Sequence, residues 1–207
     1  MKSKECYHFW MPTKGKADFM FVQHISTLKS TGRMAVIMPH GVLFRGGAEG
    51  QIRQYLIEKL NCLDAVIGLP ANIFYGTSIP TCVLVLKKCR KHADDILFID
   101  ASQHFEKVKN QNRLLPEHID KIIASYNART DEDKYSRVAS IADIAANDYN
   151  LNIPRYVDTF EAQDAIDLSE ISQKLVKLEQ DSKKTDLKIA GYCKELGIEP
   201  PFAGVTA

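Results

Sequence analysis

The sequence predicts an α/β fold with a mainly parallel sheet, and three observations support this prediction. The run Met34–Met38 is continuously apolar and stops at a proline, which is typical of a strand covered on both faces. A segment with helical periodicity separates it from a second strand at Leu63–Leu69, and strand, helix, strand is the unit of a parallel sheet. A third strand, Thr81–Leu86, follows across a loop alone, so we expect it to pair antiparallel with the second.

The remaining elements follow from apolar spacing and from breakers. Apolar residues at three-residue steps predict a first helix over 16–29, which Gly32 ends. The same periodicity predicts a second helix over 48–60. A fourth strand is expected at 96–99. Two further helix-like segments, in a more polar part of the chain, lie at 116–126 and 140–146.

A boundary is expected at 150–154, where asparagines and a proline interrupt regular structure. We therefore divide the chain into a sheet domain, 1–158, and a helical segment, 159–207. The second contains a long helix with an apolar seam of three- and four-residue steps, formed by Leu168, Ile171, Leu175, Leu178, Ile189, Tyr192 and Leu196. So narrow a seam favours packing against a partner helix, and packing on its own domain is an equal alternative.

Composition narrows the function only slightly. The 207 residues carry 27 Lys and Arg against 26 Asp and Glu, a formal net charge of +1, so any contact with DNA must come from a local patch. The five cysteines form no CxxC pair, which favours thiols in a reducing cytoplasm over a metal site. No apolar run reaches membrane-spanning length, and the first residues do not resemble a signal peptide.

The loop between the second and third strands is the most informative segment. It places Phe74 and Tyr75 at a strand edge, where aromatic side chains are exposed unless something covers them. Such rings can stack on an unpaired base, an interaction worth about 1–3 kcal/mol per base. The alternative is that Phe74 belongs to the core and Tyr75 caps it.

Other candidate DNA contacts are weaker. Arg45 lies beside paired glycines before a helix, where an anion could bind, although glycines there are also ordinary turn chemistry. The segment 107–113 is rich in side chains that contact phosphates and base edges, and a solvated loop is the alternative. Its candidate residues are Lys109, Asn110, Asn112 and Arg113. The basic stretch 87–92 is a secondary candidate, and His40 is expected to be a solvent-facing loop histidine.

Several strings, in this order and spacing, closely resemble the methylation subunits of type I restriction-modification systems, which are adenine-specific DNA methyltransferases. The resemblance covers residues 16–158. The strings are ADFMFVQH, GRMAVIMPHGVLFRGGAEGQIRQYLIE, LDAVIGLPANIFYGTSIPTCVLVLKK, ILFIDAS, KNQNRL, YSRV and NDYNLNIPRYV.

The resemblance implies a partial doubly wound, Rossmann-like sheet of an S-adenosylmethionine-dependent methyltransferase, with an antiparallel last strand and C-terminal helices. It implies that Phe74 or Tyr75 stacks on a flipped target adenine and that Met34–Pro39 is the strand next to the catalytic one. It also implies DNA, a specificity subunit and a motor or restriction subunit as partners.

The sequence departs from the family in one respect. The glycine motif for S-adenosylmethionine and the Asn-Pro-Pro-Phe catalytic motif do not occur. We therefore assign no catalytic residue and no cofactor-binding residue, and we expect no activity from this chain alone. A non-catalytic module that docks on a specificity subunit is the alternative, and an incomplete sheet would favour self-association through its exposed edge.

Overall fold

A computed structural model describes residues 18–159, 167–199 and 201. Contacts within the chain group residues 1–160 and 161–207 into two units. The first unit contains the sheets and the shorter helices, and the second contains one long helix.

Within the described residues 18–159, the main sheet has five strands in the order β1-β3-β2-β4-β7. Four of them match the strands predicted from the sequence, whereas β7 was not predicted. The strands are β1 (Arg33–Pro39), β2 (Leu63–Gly68), β3 (Thr81–Lys87), β4 (Asp95–Asp100) and β7 (Ser136–Ser140). A separate two-stranded hairpin contains β5 (Glu106–Val108) and β6 (Gln111–Arg113).

The third strand lies between the first two and runs against both. β3 pairs antiparallel with β1 and with β2, so β1 and β2 are parallel to each other although they do not touch. The antiparallel pairing predicted for β2 and β3 is therefore confirmed. β2 pairs parallel with β4, and β4 pairs antiparallel with β7, so the sheet has fewer parallel pairs than the sequence predicted.

The first two helices are shorter and less regular than their apolar spacing predicts. The first predicted helix is an α-helix, α1 (Asp18–Val22), followed by a 3₁₀ segment, Gln23–Thr27. The second is α2 (Ala48–Gln54), which continues as a π-helical segment, Tyr55–Lys59. The part of this unit that the structure describes also contains two predicted helices, α3 (Pro116–Ala128) and α4 (Ile141–Ala146).

Alternation along the strands divides the core into two layers. On one face of the sheet Val66, Leu84 and Phe98 belong to a cluster that includes Phe19 of α1 and Ile52 of α2. On the other face a second cluster includes Ile67 and Leu97, with residues of α3 packed against it. The sheet is thus covered by helices on both faces over its central strands.

The edge strand β1 differs from the central strands. Met34, Val36 and Met38 pack against the first layer, whereas Ala35 is exposed and Ile37 is 52% exposed. The prediction that this strand is covered on both faces is therefore wrong for the part of the chain that the structure describes. A continuous apolar run does not reveal whether a helix is present to cover its second face. Among the described strands, β1 pairs only with β3.

The second unit contains α5 (Leu168–Leu196). The side chain of Asp167 caps its start by accepting hydrogen bonds from the Ser169 and Glu170 amides, and Gly197 ends it in the left-handed conformation. The first half of the predicted apolar seam is exposed, and Leu175 and Leu178 are 61% and 65% exposed. None of the helices in the described ranges is long and apolar enough to cross a membrane.

Candidate nucleic-acid interface

The loop between β2 and β3 carries a tight turn with two exposed aromatic rings. We call residues 71–77 the aromatic turn. Phe74 bridges to Thr77, which leaves Tyr75 and Gly76 at the corner. Gly76 has φ +75°, the left-handed conformation that the third residue of a type II turn requires. Phe74 is 39% exposed and Tyr75 is 94% exposed, so the alternative in which Phe74 belongs to the core does not describe this structure.

The β5–β6 hairpin holds the aromatic turn in place. Its two strands are joined by Lys109 and Asn110 alone. Four hydrogen bonds connect the hairpin to the aromatic turn. Asn112 donates two of them, from its backbone N to Asn72 O at 2.8 Å and from Nδ2 to Ala71 O at 2.8 Å. The other two run from Gln111 Nε2 to Ile73 O at 2.6 Å and from Asn72 Nδ2 to Asn110 O at 3.0 Å. These bonds use backbone groups and amide side chains, so both aromatic rings stay free.

The hairpin contains the four residues of this segment that the sequence suggested as DNA contacts. The side-chain amide of Asn112 supports the turn, so its Nδ2 is committed to a structural bond. Lys109, Asn110 and Arg113 are exposed and lie on the same hairpin. The segment is therefore a supporting hairpin rather than the solvated loop considered as the alternative, and the DNA contacts remain predictions.

Arg45 has a different environment from the one its sequence context suggested. Its guanidinium lies between two carboxylates, with Nη2 2.6 Å from Asp18 Oδ2 and Nε 2.7 Å from Glu49 Oε2. Three-quarters of its side-chain surface is buried, at 23% exposure. A guanidinium paired in this way has little capacity left for a phosphate, and we therefore leave Arg45 out of the proposed DNA contacts.

A second arginine, which sequence reasoning missed, stabilises the same loop from inside. Arg53 is 4% exposed and donates to the carbonyls of Val42, Arg45 and Tyr149 at 2.9, 2.7 and 3.0 Å. Burial lowers the pKa of Arg53 to about 10, although nearby Glu49 opposes this change. Its position three and four residues before the buried Leu56 and Ile57, on the same helix face, was the available sequence signal.

Polar groups also lie close together at the end of the sheet from which the aromatic turn projects. At this end of the sheet β1 and β4 finish and β3 begins. The amide of His40 donates to Pro80 O at 3.2 Å, and His40 is half-buried, so the prediction of a solvent-facing histidine is wrong. Burial lowers the pKa of His40, against the opposing effects of a backbone hydrogen bond to Thr81 and of Asp100. Within the described ranges, His40 Nε2 and Thr81 Oγ1 are buried without a hydrogen-bond partner.

The glycines beside Arg45 do not form a pocket for a nucleoside cofactor. A Cβ placed on Gly46 or Gly47 would have no atom within 4 Å, so neither glycine is needed for a close approach. The following helix α2 has seven residues. The loop at Gly46 and Gly47 therefore does not fit a binding site for S-adenosylmethionine.

The arrangement of strands and helices itself indicates the class of protein. An antiparallel strand inserted between two parallel ones, with helices on both faces and a ligand-accessible turn at the strand ends, is the Rossmann-like methyltransferase sheet that the sequence resemblance implied. Comparison with known proteins identifies the family. The N-6 DNA Methylase family model matches residues 1–165, and the chain belongs to this family.

Similar proteins are named as methylase subunits. The chain is 35% identical over 202 residues to the type I restriction enzyme MjaVIII methylase subunit of Methanocaldococcus jannaschii, covering 94% of this chain and 34% of that protein. It is 34% identical over 185 residues to the MpnII methylase subunit of Mycoplasma pneumoniae, covering 89% of this chain and 34% of that protein. The chain thus spans about a third of the length of these relatives.

Solved structures show the same similarity. The type I restriction-modification system methyltransferase subunit of Streptococcus thermophilus aligns with a TM-score of 0.71 and 52% identity, covering 75% of this chain and 34% of that one. The EcoKI M protein aligns with a TM-score of 0.58 and 23% identity, covering 82% of this chain and 43% of that one. The second match shows the shared fold alone, and together they confirm the predicted fold class.

Proposed function

We propose that this chain is the target-base-binding part of a type I modification subunit, which methylates the exocyclic amine of adenine in DNA. Its membership of the N-6 DNA methylase family and the names of its relatives support this proposal. The chain would supply a surface on which the flipped adenine is held. A stand-alone docking module is not favoured, because the family match covers the whole sheet unit.

The observation that carries the proposal is the exposure of two rings on a fixed frame. Burying an aromatic side chain is normally favourable, yet Tyr75 leaves 94% of its surface in solvent. Four hydrogen bonds between the aromatic turn and the β5–β6 hairpin fix the backbone beneath it. A ring that is exposed and already positioned loses little conformational entropy when a base stacks on it. The aromatic turn therefore meets the requirement for receiving an extruded base.

Binding the base and transferring the methyl group are separate tasks. In the complete enzyme S-adenosylmethionine would supply the methyl group. Acceptor groups near the adenine amine would orient it and take up its developing positive charge. The resemblance assigns these acceptors to the Asn-Pro-Pro-Phe motif, which this sequence does not contain. The residues described here would hold and orient the base.

Backbone contacts with DNA are proposed for the neighbouring hairpin. Lys109 and Arg113 are exposed cations, and cations of this kind bind phosphates without reading sequence. Asn110 is exposed beside them and could reach a base edge or a phosphate. Because Asn112 is held in the frame, we assign it a supporting role and no direct contact.

We propose that α5 docks on the specificity subunit of the same system, which would choose the DNA sequence, and that a motor subunit joins the assembly. The exposed seam around Leu175 and Leu178 supports this surface, since a narrow apolar stripe on a long helix is suited to helix-helix packing. Leu175→Asp should abolish copurification with the specificity subunit, and Lys174→Asp should preserve it.

The DNA substrate would place the assembly in the cytoplasm.

The decisive test uses the intact modification enzyme. We expect the double variant Phe74→Ala and Tyr75→Ala to lose methylation while subunit assembly is kept, since the rings contribute to base binding and not to the core. Ile123→Ala removes another half-exposed apolar side chain, from α3, and should leave methylation unchanged. Normal methylation by the double variant would refute the proposed function.

A further inference from the structure

A basic cleft lies at the opposite end of the sheet from the aromatic turn. It opens where β1 and β2 begin and where β3 ends, and its volume is about 500 Å³. Its charged and aromatic lining residues are Arg33, Asp64, Lys87, Lys91, His92, Tyr126 and Arg129. Four cations and one carboxylate are thus among the lining residues, and Arg129 also pairs with a second carboxylate, Asp95, on a chain whose overall net charge is only +1.

The carboxylate at the floor of the basic cleft, Asp64, already has four polar partners within the protein. Asp64 is 2% exposed. It accepts a hydrogen bond from the Tyr126 hydroxyl and forms an ion pair with Lys87 Nζ at 2.9 Å. The guanidinium groups of Arg90 and Arg129 approach its Oδ1 to 3.7 Å. With its lone pairs shared among these partners, Asp64 has no capacity left for cations at the rim.

The cations at the rim are not neutralised by the protein. Arg33 and Lys91 are exposed, and neither has an ion-pair partner among the residues that the structure describes. Exposed lysines are common, but here two unpaired cations share one concave site with Lys87 and Arg129, which are themselves paired with Asp64 and Asp95. Like charges gathered in a cleft repel one another and raise the local affinity for an anion.

The chemistry of these groups selects a phosphate. Arginine presents a planar fork of donors that matches a phosphate, and lysine adds a mobile positive charge. The volume is in the range of small-molecule sites, and a lining this polar is unsuited to an apolar ligand. We propose that the basic cleft binds a phosphate group, carried by a mononucleotide or by the DNA backbone. This site lies at the far edge of the sheet from the rings of the proposed function and does not depend on them.

The test is a titration of the full ¹⁵N-labelled chain at constant ionic strength. Inorganic phosphate, adenosine monophosphate and a short DNA duplex are added in separate arms, and amide shifts are followed by NMR. We expect saturable shifts concentrated at 31–33, 87–92 and 126–129. Tighter binding of the monophosphate than of the duplex identifies a nucleotide, and the reverse order identifies the DNA backbone. Shifts spread over lysines throughout the chain, or no saturable shift in any arm, would overturn the proposal.

A matched pair of variants completes the test. Arg33→Gln with Lys91→Gln removes both rim charges, and we expect a loss of affinity of about fivefold because two exposed ionic contacts disappear. Lys177→Gln with Lys188→Gln removes two exposed charges from α5 and should keep the original affinity. Equal affinities in the two variants would contradict the assignment. Tyr75→Ala should leave phosphate binding unchanged, which separates this site from the aromatic turn.

Discussion

The aromatic turn and the loop that carries Arg45 place residues suited to ligand binding in opposite situations. In the aromatic turn the stabilising hydrogen bonds belong to the backbone and to amide side chains, and the rings remain exposed. In the other loop, which we call the arginine loop (residues 42–49), the guanidinium itself forms the stabilising bonds, to Asp18 and Glu49. A side chain is available to a ligand only when other groups hold its loop together. The difference separates a binding surface from a structural one.

The arginine loop should be the more sensitive of the two to mutation. We expect Arg53→Met to lower the free energy of unfolding by about 3 kcal/mol, because three carbonyls lose a buried charged donor. Urea unfolding of the full chain measures this change. Arg45→Gln should cost less, about 1 kcal/mol, because solvent screens part of its two ion pairs. If both variants lowered the free energy of unfolding equally, the deeper burial of Arg53 would not make it more important for stability than Arg45.

The frame of the aromatic turn should respond to a smaller extent. Asn112→Ala removes the side-chain bond to Ala71 O and should destabilise the chain by about 1 kcal/mol. Asn110→Ala is the matched control, since the bond at that position uses the backbone carbonyl, and its effect should be within about 0.3 kcal/mol. Comparable losses in both variants would mean that the side-chain amide does not support the turn.

The exposed ring itself should contribute almost nothing to folding. We expect Tyr75→Ala to change the free energy of unfolding by less than about 0.5 kcal/mol, since the side chain is 94% exposed. Thermal and urea unfolding both measure this. A loss above about 2 kcal/mol would assign Tyr75 to the core and remove it from the proposed surface.

The smallest expected effect is that of the methyl donor. S-adenosylmethionine should not shift the Tm of this chain, because a ligand stabilises a protein only through a site in the folded state. A thermal-shift titration measures this directly, with the intact modification enzyme as the positive control. A clear rise in Tm for the chain alone would locate donor-binding groups within it and contradict the absence expected from the sequence.

The predictable parts of the fold were those with a strong local signal. Continuous apolar runs identified β1, β2 and β3, with prolines ending the first two runs, and the connection of β2 to β3 by a loop alone gave the antiparallel pairing. β7 was missed because Ser136–Ser140 is mostly polar, and it is a strand only through its pairing with β4. The β5–β6 hairpin was missed because its polar residues have no periodicity and its Lys-Asn connection is not a standard hairpin signal.

The candidate site could be predicted only in part for a similar reason. Loop length and position left two alternatives, exposed rings or a buried Phe74 capped by Tyr75, and the structure agrees with the first. The pairing of Arg45 with Asp18 joins residues 27 positions apart, and the burial of His40 depends on Pro80 and Thr81, which come 40 residues later. Such contacts depend on the tertiary fold, and local sequence patterns do not encode them.

Photo-crosslinking in the intact enzyme tests the contrast between the two loops most directly. A photoreactive base replaces the target adenine in the duplex that the enzyme methylates, and mass spectrometry identifies the residue that it attaches to. We expect attachment at Phe74 or Tyr75, and loss of that product in the double alanine variant with DNA binding retained. Attachment to the arginine loop, with neither ring labelled, would contradict the central claim.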